Sequence, residues 1–274
     1  MVANHPRQLE WDRWCPPELE GLLREVVEPL AAGLEERLGS PAYSRVYFGN
    51  ESCEIRLPEP AALSRMLEAA QQRGLALTLL TPQVNDACLE KVEQLLDLLP
   101  SGTEVVCNDW GVLGRVRQRQ LRPVLGRLLS RCLRDPRSPE HPAWEASPLA
   151  HPHFREALAG WGVERVEVDV PLGPAAPPAP EWGLEASLRA PFVHVASGRV
   201  CAVGSLSAPP EEKFQTAGAC QRECLTYLTR LDSPTLESQL FHRGNAAFAV
   251  AEATTLVGAL HGFSRLVFDP ELLF

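Results

Sequence analysis

The strongest constraint on this chain is a repeated change of hydrophobic period. Short apolar runs of strand length alternate with stretches whose apolar residues recur at helical spacing. Residues 44–49, 76–81, 104–107, 163–170, 192–196, 247–250 and 265–269 read as strands, and 122–129 as a strand or the start of a helix. Between the first of these, Pro60 to Gly74 reads as a helix closed by its glycine, and Asp86 to Leu99 as a second helix. Strands alternating with amphipathic helices predict α/β architecture with a parallel sheet covered by helices. Roughly eight such units fit a TIM-like (β/α) barrel, complete or degenerate, better than an open doubly wound sheet. No glycine-rich phosphate loop follows the first strand, so a dinucleotide site has no support.

The chain divides at about residue 43. Leu19, Leu22, Leu23, Val26, Val27, Leu30, Leu34 and Leu38 lie at helical spacing behind Pro16-Pro17, which predicts an N-terminal helical extension over 1–43. A single α/β barrel domain is expected over 44–274, carrying a proline-rich surface loop at 171–180. With 274 residues, 45% apolar and 22% charged, the composition is that of a globular chain and excludes a disordered one. The first residues lack the apolar stretch and cleavage site of a secretory leader, and the apolar run 246–263 is interrupted by Glu252 and His261. A soluble, cytoplasmic protein without a membrane span is the expectation.

In a reducing compartment, a cysteine pattern points to metal or catalysis rather than disulfides. Cys53 follows the first strand in Tyr47-Phe48-Gly49-Asn50-Glu51-Ser52-Cys53. Cys201 follows the strand at 192–196, and Cys220 and Cys224 form a C-x3-C pair. Loops after parallel strands gather at one face of a barrel, so these four thiols are expected to meet there as a closed site for a soft metal centre. Spacing alone leaves zinc, an iron–sulfur cluster and scattered buried thiols open, although structural zinc more often takes two C-x2-C pairs.

Three segments carry a resemblance: Tyr47 to Arg56, Asn108-Asp109-Trp110-Gly111-Val112-Leu113, and Phe192 through Cys224, which includes Ser197-Gly198-Arg199-Val200-Cys201. Together they resemble the collagenase-like peptidase family U-32, in particular its small ubiquinone-biosynthesis members of the UbiV type. The resemblance spans roughly residues 44–274. It implies that Cys53, Cys201, Cys220 and Cys224 hold a 4Fe-4S cluster. It further implies a subunit of an oxygen-independent hydroxylation system, acting on a quinone precursor or an RNA base with prephenate as hydroxyl source. Such subunits pair with a paralogue that carries its own cluster, so a heterodimer is expected; the alternative is a non-catalytic four-cysteine module that docks a protein or RNA. Neither HExxH nor GxSxG occurs, so peptidase activity is not expected.

Other residues have weaker claims. Asp109, behind the strand that ends in Cys107, and Asp169, at a strand end, are candidate catalytic residues at the barrel face, although a turn aspartate equally caps a helix. Gln83 and Asn85 occupy similar positions, whereas Arg243 and Asn245 precede a strand and are expected at the opposite face. His194 reads as a structural histidine, and Cys15, Cys88 and Cys132 as small buried hydrophobes on helices. A formal charge of -9 argues against a nucleic-acid coat protein. Against that average, eight arginines and one acid, Asp135, lie between Arg115 and Arg137. Without interleaved aromatics this stripe is a solvated face or a docking surface for a protein partner, and RNA binding is not expected.

Overall fold

The computed structural model describes residues 2–3, 29–36, 39, 42–130, 148–170, 183–205, 208–214, 220–231, 240–251 and 262–269. Seven parallel strands form a curled sheet: β2 (Arg45–Gly49), β3 (Ala76–Thr81), β4 (Glu104–Cys107), β5 (Arg122–Leu125), β6 (Arg165–Asp169), β7 (Glu185–Ala190) and β12 (Arg265–Phe268), paired in that order. A two-residue strand, β1 (Val2–Ala3), pairs in parallel with β12 on one side and β2 on the other. The sheet edges are thereby joined, unlike those of an open doubly wound sheet. Helix α1 spans 29–36. Helices α2 (Pro60–Gln72), α3 (Asp86–Asp97), α4 (Trp110–Gln118) and α5 (Pro152–Gly160) lie between successive strands. The architecture is therefore mixed α/β around a parallel sheet.

Strand alternation sorts the side chains into an apolar outside and a polar inside. Val46, Leu79, Val105 and Val166 face outward into a core shared with Leu63, Leu95, Leu96, Val112, Leu113 and Val116 of the helices. Inward, Tyr47, Leu80, Val106, Val124 and Val267 form a small apolar tier. Below it, at the N-terminal strand ends, Glu104 accepts both Arg265 guanidinium nitrogens (2.7 and 3.1 Å) and pairs with Arg45 at 3.3 Å. Arg165 there bonds Ser187 and Ser264 (3.1 and 2.9 Å) and pairs with Glu185. These saturated contacts close that end of the sheet as a structural plug.

The strands expected at 192–196 and 247–250 exist, but not in the parallel sheet. They are β8 (Phe192–Ser197) and β11 (Ala246–Val250), which join β10 (Leu240–Arg243) and β9 (Thr229–Leu231) in a separate antiparallel sheet of order β8-β11-β10-β9. The vacant place is taken by β7, whose buried Ser187 and Arg189 conceal its strand character. A second core lies between the sheets, where Leu188, Leu266 and Phe268 meet Phe192, Phe241 and Phe248. Leu30 and Leu34 of α1 enter this core one helical turn apart. Helix is thus found in 1–43 at 29–36, Val2–Ala3 belong to the sheet, and residues 4–28 lie outside the described residues, as does the proline-rich 171–180 loop.

Candidate metal centre

All parallel strands point their C-terminal ends to one rim, and the chain builds that rim with specific turns. Gly49 sits at φ 129°, and a Cβ there would collide with the Leu80 carbonyl, so only glycine turns the chain out of β2 here. Asn50 is fully buried behind it, and its Oδ1 accepts the backbone N–H of Ser52 at 3.0 Å and of Cys53 at 2.6 Å. Cys53 is thereby placed as the N-cap of a single 3-10 turn, Glu54–Arg56.

The other three cysteines reach the same rim from the second sheet. Asn245, in the turn between β10 and β11, donates from Nδ2 to the carbonyls of Ser52 (2.6 Å) and Gly198 (2.7 Å), tying the Cys53 loop to the Cys201 loop. Arg243 Nε donates to the Cys224 carbonyl at 2.9 Å. Arg243 and Asn245 are accordingly at the cysteine face, not opposite it, because they flank the turn of an antiparallel hairpin rather than opening a parallel strand.

The thiols act on one another electrostatically, Cys53 with Cys224 and Cys201, and Cys201 with Cys224 and Cys220. Burial pushes the Cys53 thiol up to about 11; the N–H groups of Ile55 and Arg56 oppose this, while Cys224 and Cys201 add to it. Cys201 is likewise raised, first by burial, with the Gly204 N–H opposing and Cys224 and Cys220 adding. Donors surround the sulfurs: Gly204 N–H to Cys201 Sγ at 3.1 Å, Arg222 N–H to Cys220 Sγ at 3.3 Å, and Arg56 Nη1 to Cys224 Sγ at 3.6 Å. A Cβ on Gly204 would stand 3.2 Å from Cys201 Sγ, so the loop follows the sulfur closely. Among the described residues no three His, Cys, Asp or Glu side chains form a ready-made ion cage. The donor set nevertheless fits a thiolate-bound soft centre, because N–H groups aimed at sulfur favour the deprotonated ligand that such a centre needs.

Beneath the cysteines lies an ionic cluster that sequence reasoning missed. Arg127, 4% exposed, makes a two-pronged contact with Glu51 and donates Nη1 to Asp169 Oδ1 and the Phe192 carbonyl, both at 2.6 Å. Its guanidinium also lies over the Phe248 ring, 5.6 Å from the centroid. Arg189, 1% exposed, stands 3.5–3.8 Å from Asp269, Glu51 and Glu167. Burial alone would raise Glu51, but Arg127 and Arg189 hold it down at about 2. Glu167 is raised, because its burial outweighs the pull of Arg189 and the Tyr47 hydroxyl. The signal for this cluster was the alternation Arg165-Val166-Glu167-Val168-Asp169, with the charged side turned inward.

The remaining candidates have structural partners. Asp109 is the N-cap of α4: Oδ1 accepts from Gly111 (2.7 Å) and Val112 (3.3 Å), and Oδ2 from Val84 (3.4 Å). Asp169 anchors Arg127 and accepts the His194 N–H at 3.2 Å. His194 is buried edge-on to Phe248. Asn85 caps α3 and donates twice to Glu54, while Gln83 is exposed. Cys107 lies fully buried in the outer core with its thiol pushed up by burial, and Cys88 is half-buried on α3. Cys15 and Cys132 lie outside the described residues.

Four of the five described arginines of the stripe meet carboxylates, and Arg117 is exposed. Arg115 pairs with Glu93, Arg119 with Asp97 and Arg122 with Glu164, while Arg127 is internal. Arg131, Arg134 and Arg137 lie outside the described residues. Among the described residues no helix is long and apolar enough to cross a membrane. No protein-family model, curated protein or solved structure matches the chain.

Proposed function

We propose that this chain is a 4Fe-4S-binding subunit of an oxygen-independent hydroxylation system acting on a quinone precursor or similar small molecule. Its scaffold in this reading is a TIM-like (β/α) barrel with the β8–β11 sheet inserted before the last barrel strand. The observation that carries the reading is that Asn245 ties the Cys53 loop to the Cys201 loop, and Arg56 of the Cys53 turn reaches the Cys224 sulfur, at the C-terminal rim, the face where barrels of this kind place their sites. The motif resemblance supplies the reaction class.

The four cysteines would hold the cluster, and the bound cluster would supply one-electron redox chemistry. The protein's own part is mostly positioning. Asn50 shapes the Cys53 turn, Asn245 ties it to the Cys201 loop, and Arg243 fixes the carbonyl of Cys224. Asp169 acts through Arg127 and Glu51 to hold the floor of the site, and Asp109 holds the start of α4. Large apolar side chains are exposed in sequence next to the ligands, with Ile55 at 45%, Leu225 at 50% and Tyr227 at 57%. That exposure supports a paralogous partner seated on this rim rather than on the arginine stripe.

The test is purification from the native host without oxygen, with iron, sulfide and zinc quantified and co-purifying chains identified. A brown sample with matched iron and sulfide, a paralogous iron–sulfur partner, and hydroxylation of a quinone precursor without oxygen is expected. A colourless sample with stoichiometric zinc and no such partner would overturn the proposal in favour of a structural metal module.

A further inference from the structure

We propose that Arg56 is a positioning residue for the centre: its guanidinium clamps the Cys53 turn to the Cys224 loop and sets how readily the bound cluster accepts an electron. The inference rests on the cluster reading above, and adds which residue of this chain tunes it.

The geometry is specific. Arg56 closes the 3-10 turn that Cys53 opens, and its N–H donates to the Cys53 carbonyl at 3.1 Å. Its side chain then crosses to the other ligand loop, where Nη1 donates to Cys224 Sγ at 3.6 Å across 168 residues of sequence. One residue therefore touches two ligand segments, through its backbone and through its charge. Arg56 is half-buried and Cys224 is 5% exposed, so water screens the contact less than it would at an open surface.

Other charges near the ligands make different contacts: the buried Arg243 donates its Nε to the Cys224 carbonyl at 2.9 Å. Arg222 also lies between two ligands, but its backbone, not its guanidinium, meets the Cys220 sulfur, and its charge acts on Glu59. Glu59 is itself paired with Lys91 at 2.6 Å. Glu54, next to Cys53, is engaged by the backbone and side chain of Asn85.

The physical consequence follows from charge. Four thiolates make an iron–sulfur cluster anionic, and reduction adds one more negative charge. A guanidinium donating to a ligand sulfur stabilises the reduced form more than the oxidised form, and so raises the potential. Lysine keeps the charge at that position, whereas glutamine keeps a neutral donor alone.

The experiment compares wild type, Arg56→Lys and Arg56→Gln as full-length chains prepared without oxygen. Iron and sulfide are quantified first, and the reduction equilibrium is then followed by electron paramagnetic resonance in a mediated titration. Arg56→Gln is expected to lower the reduction equilibrium constant at least about tenfold, about 59 mV for one electron, while Arg56→Lys stays within about threefold of wild type by retaining the charge. Loss of iron from Arg56→Gln alone, with Arg56→Lys loaded at the wild-type potential, equally supports a role for the charge. Equal potentials in all three chains, equal displacement of both variants, or loss of iron from both would overturn the proposal. A wild-type chain without iron overturns the cluster reading as well, which separates the two failures.

Discussion

Replacing Arg127 by Met tests the account of the ionic floor most severely. The methionine fills much of the same volume and still packs on Phe248, but it removes the charge that faces Glu51 and Asp169 in a site closed to water. Breaking a buried pair by removing one partner costs about 3–5 kcal/mol, because the remaining charge is left uncompensated. The pH dependence follows from Glu51. Its folded value of about 2 lies below the ordinary 4.5, so in the wild type it contributes about 3 kcal/mol above pH 4.5, lost as pH falls from there towards 2. In the variant only Arg189 still opposes the effect of burial on the carboxyl, so its value rises and much of this contribution disappears. Urea unfolding followed by circular dichroism, at matched metal content, is therefore expected to show a loss of about 3–5 kcal/mol at pH 7. That gap should narrow by about half at pH 3, where the wild type has itself lost much of the Glu51 contribution. Adding Glu51→Gln to the variant should restore part of the stability, since the uncompensated charge is gone. A loss below about 1 kcal/mol at pH 7, or a gap that does not change with pH, would refute the reasoning.

Three further outcomes are expected. Asp109→Ala should cost about 1 kcal/mol in thermal or urea unfolding through the lost cap, with iron content unchanged, whereas Asp109→Asn should keep most of the stability. Glu167→Gln should make the chain less sensitive to rising pH: the raised carboxyl favours the folded state below its unfolded value and loses that advantage as pH increases, so wild type and variant should match near pH 4 and the variant should be the more stable at pH 8. Asn245→Ala frees the tie between the Ser52 and Gly198 carbonyls, and should lower iron retention under chelator challenge at least severalfold while lowering the unfolding midpoint little.

The parallel sheet was legible because its outward residues are apolar and its helices amphipathic, as in β3 with α3. The second sheet was not, because β11 and the first half of β8 are buried, and in a short run the pattern matches that of a parallel strand. Strand β7 escaped notice because Ser187 and Arg189 face a polar interior, where a hydrophobic period has nothing to report. The places of Cys53 and Cys201 after strands could be read from the sequence. The roles of Asn245 and Arg56 could not, since one polar residue makes no pattern and each acts on a segment far away in sequence. The partners of the arginine stripe were not legible either: Arg115, Arg119, Arg122 and Arg127 are neighbours in sequence but meet Glu93, Asp97, Glu164 and Glu51 in space.

The central claim is that four thiols from separate segments hold one centre, and Cys53 is its most exacting member because it comes alone from the first long strand. Single serine variants of Cys53, Cys201, Cys220 and Cys224, with Cys88→Ser and Cys107→Ala beside them, should be prepared without oxygen and assayed for iron and sulfide per chain. An incomplete ligand set does not hold a cluster, so the first four should lose most of both elements while the two controls retain them. A Cys53→Ser chain with its full complement of iron and sulfide would contradict the account.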